Sequence, residues 1–209
     1  VTVDEIVDVI REEATEDFLQ MAGAGKDREI LMKSSWDNAR SRLPWLFASW
    51  VGGVCAAAII GIFDNTLQST LALAAFIPVV IGMGGNIGTQ TSTLVVRGLA
   101  TGRVNVGNNI NIIFKEIRVG LILGILYGLL LGLFAIMSFV DISPYLGLVV
   151  GLGIACSMLI ATAFGSLVPL LLHRMDIDPA IATGPFVTTS IDILGVTLYF
   201  VIAKIFLPV

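Results

Sequence analysis

Charge is scarce in this chain: 13% of its 209 residues are charged, 56% are hydrophobic, and mean hydropathy is +0.93. Soluble domains carry about 25% charged residues. That deficit excludes a soluble globular domain, a nucleic-acid binder and a disordered tail. Histidine occurs once, as His173, so an HExxH metal site is impossible. A Ser-His relay would need His173 at a span end, with no nucleophile motif beside it. An aspartyl dyad needs two carboxylates sharing a proton, and the apolar stretches supply one aspartate. Catalysis is therefore not expected. Only two cysteines occur, Cys55 and Cys156, both inside apolar stretches, where packing as small hydrophobes is expected ahead of a disulfide. The chain opens on Val1 without a signal-peptide pattern, and it reads as a piece whose N-terminus lies upstream.

The charge present is unevenly placed. Residues 1–42 hold six Lys/Arg and ten Asp/Glu, whereas 43–209 hold six of each sign. A hydrocarbon core about 30 Å thick needs about 20 helical residues. Five stretches qualify: Leu43–Phe63, Leu71–Val96, Val119–Val140, Tyr145–Leu172 and Ala180–Ala203. The fold class is therefore all-α, a polytopic membrane protein with five spans after a short cytosolic helical segment. Eleven of the twelve basic residues alternate onto one side of these spans, which the positive-inside rule makes cytoplasmic. The N-terminus is expected inside and the C-terminus outside, with Lys204 reaching the outer headgroups.

Gly120, Gly124, Gly128 and Gly132 recur every fourth residue, a stripe on which another helix can pack closely. Trp36, Trp45 and Trp50 mark the cytoplasmic interface of the first span. Before it, Val1–Asp8 alternates β-branched residues and runs into a helical pattern, Gly23 and Gly25 are breakers, and a second helix is expected over roughly Asp27–Ser41. The acids of this region read either as a solvated helix face or as a divalent-cation surface, since hard cations choose carboxylate oxygens.

Asp192 is the most informative residue. An aspartate at mid-span costs about 2.5–3.5 kcal/mol on insertion scales, and no Lys or Arg inside a span can pair with it. Its partner must be a mobile ion, a proton, or a second copy of itself with a cation between. Gly184, Thr188 and Asp192 share one helix face. Pro185 is expected to free the carbonyl of Ile181 within the span, and Thr189 and Ser190 add hydroxyls. In GMGGNIGTQTST, residues 82–93, Gly82, Gly84 and Gly85 suit either helix packing or a wet cavity. Asn86, Thr89, Gln90 and Thr93 suit the cavity.

PVVIGMGGNIGTQTSTLVVRGLATG (Pro78–Gly102) and DPAIATGPFVTTSIDILG (Asp178–Gly195) resemble the membrane domain of MgtE-type magnesium channels. VTVDEIVDVIREEATED (Val1–Asp17) resembles that family's junction between a CBS domain and a connecting plug helix. The resemblance implies a homodimer in the cell membrane whose pore, lined mainly by spans 2 and 5, follows the dimer axis. It divides the chain into a CBS tail with connecting helix (1–42) and a pore domain (43–209). It implies that Asp192 of both subunits holds a hydrated Mg²⁺, with Gly82, Gly85, Asn86, Thr89, Thr93, Ile181, Gly184 and Thr188 lining the pore. Glu13, Glu16, Asp17 and Asp178 would bind regulatory cytosolic Mg²⁺ and favour closure, with Asp8 a neighbouring acid. A cytosolic sensor domain is implied upstream.

The chemistry of Mg²⁺ is consistent with this, because the ion keeps several waters and takes one or two carboxylates. Two carboxylates about 8 Å apart repel by about 2 kcal/mol at an effective dielectric of about 20, and a dication between them reverses the sign. Hydroxyls and carbonyls of Thr188, Thr189, Asn86 and Ile181 could hold the retained waters. The alternatives are a proton- or sodium-coupled divalent-cation carrier that uses Asp192, and a non-transporting membrane anchor for a cytosolic part.

Overall fold

In the computed structural model, residues 3–24, 32–104, 109–139, 143 and 145–207 are described, and among them there is no strand. The elements are α1 (Val3–Met21), α2 (Ser35–Ile62), α3 (Asp64–Ser69), α4 (Ala72–Ala100), α5 (Asn109–Ser138), α6 (Leu146–Arg174), a 3-10 turn (Pro179–Thr183) and α7 (Pro185–Phe206). Helices α2, α4, α5, α6 and α7 are each long and apolar enough to cross a membrane. The molecule is a multi-pass membrane protein.

The helix ends follow local chemistry. Gly23, with φ +68°, closes α1 in a Schellman arrangement: the Ala24 N–H donates to Leu19 O (2.8 Å) and the Gly23 N–H to Gln20 O (2.9 Å). Asp176, with φ 56°, does the same after α6, where the Ile177 N–H donates to Leu172 O (2.9 Å). Ser34 caps α2 reciprocally. Its Oγ accepts from the Asp37 N–H (3.3 Å) and donates to Asp37 Oδ2 (2.7 Å).

Three expectations need correction. The expected pre-membrane helix is, from Ser35 onward, the start of α2 itself, which runs through Pro44 into the span; positions 27–31 lie outside the described residues. Helix α5 begins ten residues before the expected Val119, because Ile112 and Ile113 pack against buried Val95 and Leu99 of α4. Lys115, Glu116 and Arg118 therefore lie on the helix. Finally, the fifth span is not continuous from Ala180. It breaks at Gly184, and Pro185 starts α7, the position where its missing N–H costs nothing. The carbonyl of Ile181 thus belongs to a turn before the helix rather than to a gap within it. Between α2 and α4, Asp64–Ser69 forms one short helix.

Helix α6 is the centre: over half of its apolar window (56%) is buried, and it packs on α4, α5 and α7. Its contact with α5 uses the glycine stripe. A Cβ at Gly128 would sit 2.6 Å from Gly151 O, and one at Gly132 would sit 2.7 Å from Gly147 O, so the two backbones are in direct contact. Helices α6 and α7 are pinned to α4 by two buried hydroxyls. Tyr199 Oη donates to Leu73 O (3.1 Å), and Ser157 Oγ donates to Val80 O (3.4 Å). Around them Phe76, Val80, Val149, Val196 and Phe200 form the main core. Helix α2 packs chiefly on α7, with 11% of its window buried, so most of its apolar surface is open in the single chain. Cys55 and Cys156 are free thiols.

The tight α5–α6 contact makes a direct expectation. Gly128→Val forces these backbones apart and lowers stability by about 1–3 kcal/mol, the usual cost of overpacking. Gly61→Ala, where a Cβ meets nothing within 4 Å, leaves stability the same or higher. Thermal unfolding of the two detergent-solubilised variants checks the contrast.

Candidate ion site

Asp192 is the eighth of the 22 residues of α7, roughly a third of the way along the span. Its residue is half-buried, and Oδ1 is sealed from solvent with no hydrogen-bond partner. A buried carboxylate oxygen without a donor is costly unless a water, proton or cation meets it. Helix α4 makes room for this group, since a Cβ at Gly85 would lie 3.5 Å from Oδ1. Asp192, Thr188 and Thr189 of α7 border a cavity of about 360 Å³, closed by Ile81 of α4 and by α2. Thr188 Oγ1, at the cavity, donates to Pro185 O (3.2 Å), and Ser190 Oγ, which does not border it, donates to Phe186 O (2.8 Å). Each hydroxyl oxygen keeps lone pairs with which to accept from water.

The glycines of α4 divide between two roles. A Cβ at Gly84 would come 2.5 Å from Ser157 Oγ, and one at Gly88 would collide with Ile191, so these two are packing residues. At Gly82 nothing lies within 4 Å. Gly82, Asn86 and Gln90 are exposed, while Gly85, Thr89 and Thr93 are half-buried. Thr89 Oγ1 donates to Gly85 O (2.9 Å). These residues do not border the Asp192 cavity of the single chain. They form a polar face of α4, open to whatever covers it, and Thr93 borders a small pocket against α1 with Asp17 and Arg97.

A second cavity, about 340 Å³, lies between α1 and the ends of α4 and α6. It brings together Glu13, Glu16 and Asp17 of α1 with Asp178, and adds His173 and Gln20. Among the described residues no three His, Cys, Asp or Glu converge closely enough to ligate one metal directly. The acids surround a space suited to a hydrated cation. Asp8 lies apart, on an outer patch with Arg11, Glu12 and Thr15.

Asp178 also has a mechanical task. Its Oδ1 accepts from the Ala180 N–H (3.0 Å) and its Oδ2 from Gln20 Nε2 (2.9 Å), which ties α1 to the turn before α7. Gly184, buried just after that turn, would place a Cβ 3.5 Å from Met21 O and 3.7 Å from Gln20 O. The carbonyl end of α1 thus abuts the N-terminal end of α7, a favourable pairing of helix dipoles. Ile181 is half-buried, and its N–H donates to Asp178 O (3.3 Å).

Sequence reasoning missed two participants. Gln20 follows Glu13, Glu16 and Asp17 at the next helical step, so the i, i+3, i+4, i+7 spacing was its signal. His173 had no signal until the end of α6 was placed beside α1. Away from both cavities, Glu116 accepts from Thr91 Oγ1 (3.1 Å), a carboxylate held against a buried hydroxyl of α4.

The family model for MgtE, a divalent cation transporter, matches residues 77–202, which include both Gly85 and Asp192. The chain belongs to the MgtE family. It is 38% identical over 207 residues to the magnesium transporter MgtE of Bacillus subtilis and 36% identical over 210 residues to that of Enterococcus faecalis. Identity to the magnesium transporter MgtE of Thermus thermophilus is 34% over 210 residues. Each comparison covers 99% of this chain and 45–46% of the relative, so the chain spans less than half the length of those relatives.

Replacing Gln20 by Leu removes the hydrogen bond from Gln20 Nε2 to Asp178 Oδ2. Hydrogen bonds to charged groups contribute about 1.5–3 kcal/mol. Hydrogen exchange at the last turn of α1 is expected to quicken by about ten- to hundredfold in Gln20→Leu, with the amides of α6 unchanged.

Proposed function

We propose that this chain, paired with a second copy of itself, passes hydrated Mg²⁺ through a channel along the axis between the copies, with Asp192 of both as the ion site. The observation that carries the reading is Asp192, an acid with one oxygen buried and unpartnered, on the border of a cavity that Thr188 and Thr189 also line. The names of the relatives, magnesium transporters, support the choice of ion. Mg²⁺ enters with its first water shell, which Asp192 and the hydroxyl and amide groups of Thr188, Thr189 and Asn86 receive. The open polar face of α4 (Gly82, Asn86, Gln90) completes the wet path, since these residues are poorly matched to lipid. Transport of this kind needs no catalytic residue.

The basic residues orient the chain in the cell membrane with the N-terminus and the acid-lined cavity in the cytosol. There Glu13, Glu16, Asp17 and Asp178 gather hydrated cytosolic Mg²⁺ and favour the closed pore, with Asp8 extending the negative field. A sensor domain upstream of residues 1–42 completes the regulation.

Mg²⁺ flux into proteoliposomes tests the pore. A charge-assisted contact of about 1.5–3 kcal/mol corresponds to about ten- to hundredfold in affinity, so Asp192→Ala is expected to lose at least that much flux at low Mg²⁺. Undiminished flux overturns the site, and flux driven by a proton or sodium gradient reassigns the protein to coupled carriers. For the regulation, the triple variant Glu13→Gln, Glu16→Gln, Asp17→Asn in the full-length protein is expected to keep the pore open at cytosolic Mg²⁺ that closes the parent. An unchanged response in patch recordings contradicts the role.

A further inference from the structure

Helix α2 has no part in the sequence-level picture of the pathway, yet it forms one side of the Asp192 cavity. Ser49, Gly52, Gly53 and Ala56 border that cavity at i, i+3, i+4 and i+7, a single helical face. The face is not uniform. A Cβ at Gly52 would collide with the Thr189 side chain, so Gly52 is where α2 is pressed onto α7. Gly53 is exposed, and a Cβ there would meet nothing within 4 Å. The first glycine brings the wall close to Asp192 and the second keeps the space beside it free.

The size of that space bears on what fills it. Six waters occupy about 180 Å³ at about 30 Å³ each. The cavity, about 360 Å³, is large enough for a dication with a complete first shell. Asp192 borders this space and supplies the charge that draws such an ion to this side of α7.

We propose that α2 is a third wall of the ion pathway, in which Gly53 provides the clearance for the ion's water shell beside Asp192 and Ser49 offers that shell a hydroxyl. The proposal rests on Asp192 as the ion site and adds a helix and two residues to it.

The test is cysteine accessibility in proteoliposomes containing the full chain with Cys55→Ser and Cys156→Ser. Gly53→Cys is treated with a membrane-impermeant, positively charged methanethiosulfonate, and its modification rate is read by intact mass with and without Mg²⁺. At Mg²⁺ ten times its dissociation constant about a tenth of sites are empty, so modification is expected to slow by about tenfold. That protection is expected to vanish when Asp192→Ala is added. Val51→Cys, exposed on the far side of α2, is expected to show no Mg²⁺ protection. If Asp192→Ala abolishes flux while Gly53→Cys is unreactive or unprotected, the α2 wall is wrong and the ion site stands. Equal protection of Val51→Cys also overturns the wall. If Asp192→Ala leaves flux intact, the wall falls together with the reading it rests on.

Discussion

A carboxylate set a third of the way into a membrane-spanning helix, with one oxygen sealed and no donor in reach, constrains everything packed around it. The insertion cost of about 2.5–3.5 kcal/mol is not offset by a donor to the sealed oxygen, which has no hydrogen-bond partner. The surroundings instead supply space and weak dipoles: an absent side chain at Gly85, open ground at Gly53, and the hydroxyls of Thr188 and Thr189. Such a shell is poorly suited to binding a bare ion and well suited to receiving a solvated one. It also fits the small residues that α2 and α4 turn towards α7, Gly52 against Thr189 and Gly85 against Asp192, while bulky Val196 and Phe200 of α7 point into the core.

A site this open depends on rigidity elsewhere. Helix α6 provides it, joined to α5 through bare backbone contact and to α4 and α7 through buried aliphatic and aromatic side chains. The α1 end of the bundle is held differently. Helix α1 is fixed there by its glycine cap, by the bond from Gln20 to Asp178 and by its carbonyls over Gly184. Asp178 therefore belongs both to the acid-lined cavity and to the turn that starts α7, two turns of helix before Asp192. In the proposed regulation a cation gathered in that cavity acts on the same carboxylate that holds the turn. The charge state of the cavity and the position of the pore helix are then coupled through one side chain.

Much of this was legible in the residues alone. Run length located the five spans, because lipid permits no unsatisfied backbone and so demands long apolar helices. The four-residue glycine repeat announced the α5–α6 contact, and the acids of α1 that face the cavity lay on one helical face. What could not be read was set by tertiary packing. The start of α5 lies beyond its charged residues because Ile112 and Ile113 find partners on α4, which hydropathy cannot register. The break at Gly184 reflects a competition between an interior proline and a helix start, and the docking of α1 over that glycine favours the latter. The division of the α4 glycines into packing and clearance required knowing which face meets Ile191 and which meets Asp192. The role of α2 was hidden because small apolar residues in a hydrophobic run look like ordinary span.

The most direct test of the central claim is a density map of the protein in bilayer discs at high Mg²⁺, read around Asp192. Mg²⁺ with its waters at about 2.1 Å, bridged to a carboxylate by hydrogen bonds of about 2.7 Å, should appear as density about 4 Å from Asp192 of each of two copies, on their symmetry axis. Asp192 side chains that face lipid, or that stand apart from any second copy with no density between them, would contradict the account.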